Sequence, residues 1–141
     1  MDFRICQTPT ASPAKPGGLP LTLDLAYSRV TLQGRRLAIF ESVFHEIWGE
    51  VKSPQLVIYL RCEPATELSR IRNRAREAEK SIDLRYLSAI NSSLGSVIAE
   101  FRSNLLVLEI DSGEVDFAND VDAKVAVVDE IRRAMSSGRI A

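Results

Sequence analysis

The stretch from Leu56 to Ile82 constrains this chain more than any other. Leu56-Val57-Ile58-Tyr59-Leu60 is an unbroken apolar run, β-branched at Val57 and Ile58 and too short for a buried helix. A strand covered on both faces reads this way, as in a parallel sheet. Pro64 follows where a helix can begin, because its missing N–H costs nothing in a first turn. Leu68, Ile71, Ala75, Ala78 and Ile82 then recur at spacings of three and four. That pattern predicts one helix carrying an apolar stripe as far as Ile82.

Around the stripe stand Arg70, Arg72, Arg74 and Arg76. Arg70 with Arg74, and Arg72 with Arg76, are like charges at i,i+4, each costing roughly a few tenths of a kcal/mol. A multiply negative partner would relieve that repulsion. Phosphate is one such partner, since an arginine fork is always ionised and grips phosphate oxygens bidentately. A solvated basic face, offset by Glu67, Glu77 and Glu79, explains the same residues. Composition does not separate the two.

The rest of the chain supplies matching parts. Arg36 to Val51 is an amphipathic helix, with Leu37, Phe40, Val43, Phe44, Ile47, Trp48 and Val51 on one face. Trp48 and the phenylalanines are expected in the core. His45 lies off that stripe beside Glu46 and reads as a surface histidine. Leu84, Leu87, Ile90, Leu94, Val97, Ile98 and Phe101 mark another amphipathic helix, interrupted in quality by Ser92, Ser93 and Gly95. Leu105 to Ile110 is a second buried strand, leading into Asp111-Ser112-Gly113 and a turn. Asp120 or Asn119 then caps a last helix, with Val121, Val125, Val128, Ile131 and Met135 on its buried side. Two apolar strands separated by helices mean an α/β fold with a parallel sheet and right-handed crossovers. Ligands in such sheets bind at the carboxyl ends of the strands. Arg61–Pro64 and Asp111–Phe117 both follow strand ends and should share that rim.

Composition excludes several classes. Net charge is −1, so bulk attraction to nucleic acid or an anionic membrane is not expected. Cys6 and Cys62 are the only cysteines and His45 the only histidine, which suits neither a metal cluster nor a disulfide framework. No metal site is expected, and a reducing, cytoplasmic setting is. No apolar run approaches the roughly 18 residues of a membrane span. Residues 1–20, rich in Pro, Gly, Ser and Thr, read as a flexible tail without the apolar block of a signal peptide. Residues 137–141 read as a second short tail.

Tyr59-Leu60, the Pro64 turn, Arg-Ile-x-x-Arg-x-Arg-x-x-Glu from Arg70 to Glu79, then Ile82 and Tyr86-Leu87, resemble the deoxynucleoside kinase family in order and spacing. The family phosphorylates deoxynucleosides at the 5′ position with ATP and Mg²⁺. The resemblance implies that Arg70, Arg74 and Arg76 belong to the lid over the donor phosphates, and that Glu79 contacts the acceptor sugar. It implies also that Asp116 and Phe117 wrap the adenine of ATP, although Phe117 packing under a turn explains that pair equally well. Leu25 to Leu32 is similar to the segment just before the helix that leads into the Tyr-Leu strand.

The resemblance runs over roughly residues 22–135, within an expected domain of 21–136. The family's Gly-x-x-x-x-Gly-Lys-Ser/Thr loop, which cradles phosphate and places Mg²⁺, does not occur in the 141 residues. The expected fold is therefore a partial P-loop-kinase-like three-layer structure lacking the P-loop strand, with exposed sheet edges. The expected function is that of a truncated kinase, inactive by itself, with nucleotide or deoxynucleoside as partner and a homodimer as a possible assembly. A non-catalytic nucleotide-binding or interaction remnant is the alternative.

Overall fold

The computed structural model describes residues 21–52, 54–117 and 119–137. The 1–20 tail and all but Ser137 of the 137–141 tail lie outside the described residues.

Helices α1 (Leu21–Thr31) and α2 (Gly34–Glu50) precede strand β1 (Val57–Arg61). Helix α3 (Pro64–Arg74), a 3₁₀ turn (Glu77–Glu79) and helix α4 (Leu84–Phe101) cross over to strand β2 (Val107–Asp111), and helix α5 (Val121–Ser137) follows. The strands pair in parallel from Val57↔Val107 to Arg61↔Asp111. The expected strand at Leu105–Ile110 is thus displaced, with Leu105 buried just before it.

Alternation along β1 sends its side chains to two cores. Val57 and Tyr59 join Leu25, Ala26, Phe44, Leu94, Val97, Ile98 and Phe101 on the side of α1, α2 and α4. Leu56 and Ile58 join Ile110 on the other side, under Val127, Ile131, Ala134 and Met135 of α5. The result is helices, parallel sheet and helix in three layers, as the continuous apolar run of β1 predicts.

Leu21–Thr31 is a helix of its own rather than an approach to the next one. Leu25 and Ala26 are fully buried, and Ser93 of α4 donates to the Ala26 carbonyl at 2.9 Å. Arg29 ties this helix to Glu41 at 2.9 Å and to Glu100 at 2.8 Å. In α4 the predicted stripe is buried except for Leu84, which sits in the exposed first turn beside the Asp83 cap. In α2 the expected face is only partly covered. Phe44 is buried and stacks on Trp48 at 5.7 Å, with Phe101 4.7 Å from Trp48, while Val43, Ile47 and Val51 stay open. His45 is exposed, as expected.

Two helices differ more sharply from the sequence pattern. The helix predicted through Ile82 stops at Arg74, because Ala75 adopts a left-handed conformation with φ 49°. For a residue with a Cβ that geometry costs roughly 1–2 kcal/mol. Ending the helix there removes the i,i+4 arrangement of Arg72 and Arg76.

In α5 the buried side is turned from the predicted one. Ile131 and Met135 do face the sheet, but Val121, Val125 and Val128 are 69, 54 and 38% exposed, and Val127 and Ala134 pack instead. Asp120 caps this helix, its Oδ1 accepting from the N–H groups of Asp122 at 2.9 Å and Ala123 at 3.2 Å. Asp120→Ala is expected to cost about 1 kcal/mol in urea unfolding. An unchanged midpoint would mean that the cap contributes nothing.

Candidate functional site

The carboxyl ends of β1 and β2 form a rim whose parts hold one another. Arg61 faces Asp111 across the register, with Nη2 3.6 Å from Oδ2. The Gly113 N–H donates to Asp111 at 2.9 Å. That bond first, then the Glu114 N–H and Arg61, holds the Asp111 carboxyl below its usual range. Ser112 is buried, and both its N–H and its Oγ donate to the Arg61 carbonyl, at 2.8 and 2.9 Å. The Arg61–Pro64 and Asp111–Phe117 segments do share one rim.

Arg70 belongs to this rim. Its Nη2 donates to the Ser112 carbonyl at 2.7 Å and its Nη1 lies 3.7 Å from Cys62 Sγ. It therefore bolts α3 to the turn after β2. Burial pushes the Cys62 thiol above its usual pKa, with Arg70 opposing, which makes the thiol a poor nucleophile.

Arg74 and Arg76 stand apart from Arg70, at the last residue of α3 and just beyond it. Arg74 Nη2 donates to both carboxylate oxygens of Glu79, at 3.2 and 3.1 Å, and Arg76 Nη1 lies 3.6 Å from Oε1. A cleft of ≈ 310 Å³ opens beside them, with Ile71, Ala75 and Ile82 as apolar lining and Arg72, Arg76 and Lys80 supplying cations. Two guanidiniums thus approach one carboxylate, an anion whose paired oxygens an arginine fork holds as it holds those of phosphate.

Asp116 and Phe117 occupy the loop between β2 and α5. Asp116 accepts from the Asn119 N–H at 3.2 Å and from the Asn119 amide at 3.2 and 3.0 Å. Phe117 packs against the core that Leu56, Ile58 and Ile110 form.

Glu67 is the residue the sequence pattern misplaces. It reads as a solvated counter-charge, yet it is 0% exposed in the first turn of α3. Its Oε2 accepts from the Asn91 amide at 3.1 Å, and the same amide donates to the Cys62 carbonyl at 3.1 Å. Its Oε1 has no hydrogen-bond partner among the described residues. Burial raises its pKa, with Asn91 and Arg70 opposing. One signal was present in the sequence: Glu67 lies four residues before Ile71, on the same helix face.

The sequence profile of the deoxynucleoside kinase family matches residues 23–136. This chain belongs to the deoxynucleoside kinase family. The match coincides with the span over which the motifs resemble that family. The deoxyguanosine kinase of Bacillus subtilis (strain 168) is 27% identical over 97 residues, covering 67% of this chain and 47% of that protein. The deoxyguanosine kinase of Dictyostelium discoideum is 29% identical over 73 residues, covering 50% of this chain and 26% of that protein. The chain therefore spans less than half the length of either relative in these matches. Its parallel pair and covering helices are consistent with part of a nucleoside-kinase fold. Among the described residues, no helix is long and apolar enough to cross a membrane.

Proposed function

We propose that this deoxynucleoside kinase chain carries the lid and the donor-base side of a site for ATP-dependent 5′-phosphorylation of a deoxynucleoside. The observation that carries the reading is the convergence of Arg74 and Arg76 on one anionic group beside an open cleft. Phosphoryl transfer depends on positioning and charge neutralisation, and paired guanidiniums provide both. Arg74 and Arg76 would grip the donor phosphates, and Arg70 would hold the root of the lid against the rim. Glu79 would meet the acceptor sugar, and Asp116 with Phe117 the adenine. ATP with Mg²⁺ is the donor in this reading, the cytoplasm its setting and a homodimer its assembly.

Transfer by the polypeptide alone is not part of the proposal. Its 141 residues contain no Gly-x-x-x-x-Gly-Lys-Ser/Thr pattern, and that loop with its metal does most of the work in this chemistry. Binding without turnover by these 141 residues is the reading proposed, with a non-catalytic nucleotide-binding or interaction remnant as the alternative.

The test is ATP binding by the purified chain and by the Arg74→Ala/Arg76→Ala double variant. Each lost guanidinium is expected to weaken binding about tenfold, or about 1.4 kcal/mol. Equal affinities would remove the lid reading. Labelled phosphate appearing on deoxyguanosine or deoxyadenosine with the unmodified chain would overturn the expected inactivity.

A further inference from the structure

The lid guanidiniums already hold an anion, and it comes from their own loop. Arg74 reaches both oxygens of Glu79 and Arg76 approaches one. Glu79 is 18% exposed at its side chain while Arg76 is 63% exposed, so the carboxylate sits inward of the cation. A carboxylate and a phosphate offer a guanidinium the same kind of oxygen pair. Glu79 therefore occupies donors that a phosphate would use.

The backbone makes this contact. On an unbroken helix, residues five apart point about 140° away from each other, so Arg74 and Glu79 would not meet. The left-handed Ala75 ends α3, and the Glu77–Glu79 turn carries the carboxylate back to Arg74.

We propose that Glu79 is a built-in competitor for the lid: it neutralises Arg74 and Arg76 when the lid is empty, and polyphosphate must displace it to be held. This deepens the phosphate-lid reading above and rests on it. The arrangement has a consequence for ligand class. A singly charged anion merely exchanges one charge for another at these arginines and gains little. A di- or triphosphate brings several charges to the same two groups and wins the exchange.

The test is calorimetric binding of inorganic tripolyphosphate, which has neither base nor sugar, to the complete chain. Glu79→Gln keeps the size of the side chain and removes its charge. It is expected to bind tripolyphosphate about three- to tenfold more tightly than the unmodified protein. Glu79→Ala should show a gain of the same direction, which separates loss of the charge from a new contact by the glutamine amide. Arg74→Ala/Arg76→Ala should lose the binding. Unchanged or weaker binding by the Glu79 variants, with loss in the double arginine variant, overturns the competitor role and leaves the lid reading standing. A double arginine variant that binds as well as the unmodified protein overturns both.

Discussion

Leu94→Ala is expected to destabilise the fold by about 3 kcal/mol, read as a lowered midpoint in urea unfolding followed by circular dichroism. Leu94 is 1% exposed and lies in the cluster that joins α1, α2, β1 and α4. Truncation there loses the transfer energy of three carbons and leaves a cavity between elements that cannot close it, since Leu25, Ala26, Val97 and Ile98 are each held by their own helix. For a domain whose whole stability is about 5–15 kcal/mol, that is a large fraction. Leu84→Ala is the control. Leu84 lies on the same sequence stripe but is exposed, and its truncation should cost less than about 0.5 kcal/mol. Equal losses at the two positions would contradict the packing of α4 described above.

Glu67→Gln should stabilise the chain relative to the unmodified protein, by an amount that grows with pH. Glu67 is fully buried and its Oε1 lacks a hydrogen-bond partner among the described residues, so ionising it places a charge where water does not reach. Burial raises its folded-state pKa above the ordinary value of 4.5. Between the unfolded and folded values the folded chain keeps a proton that the unfolded chain has released, so stability falls as pH rises. Below the unfolded value both states are protonated and the penalty is absent. Above the folded value it is present in full. Glutamine has no such titration and can still accept from Asn91. The gap between variant and unmodified protein is therefore expected to be small near pH 4.5 and to reach about 1–3 kcal/mol at neutral pH or above. Urea unfolding at both ends of that window measures it. A gap that does not change with pH would show that the Glu67 carboxyl titrates as it does in water.

Much of this was legible from local pattern. The five apolar residues from Leu56 to Leu60 specified a strand covered on both faces, because no other short element hides every side chain. Residues ending the two strands were readable as neighbours, since parallel strands bring their carboxyl ends to one side. The α4 stripe from Leu87 to Phe101 was correct because α4 has a single buried face. The spacing of Arg70, Arg74, Arg76 and Glu79 was specific enough to mark the family.

Where those groups meet was left to the tertiary structure. Arg70 and Arg74 are four residues apart on one helix, yet one turns to the Ser112 carbonyl and the other to Glu79. The helix ending at Ala75 and the turn of α5 that buries Val127 instead of Val128 depend on what lies opposite each element. Periodicity records that a face is apolar, but several phases of a valine-rich helix satisfy it equally, and packing chooses one. Glu67 makes the same point in reverse. Its charge argues for solvent along the chain, while α4 lies over it and supplies Asn91, so burial follows from the neighbour and not from the residue.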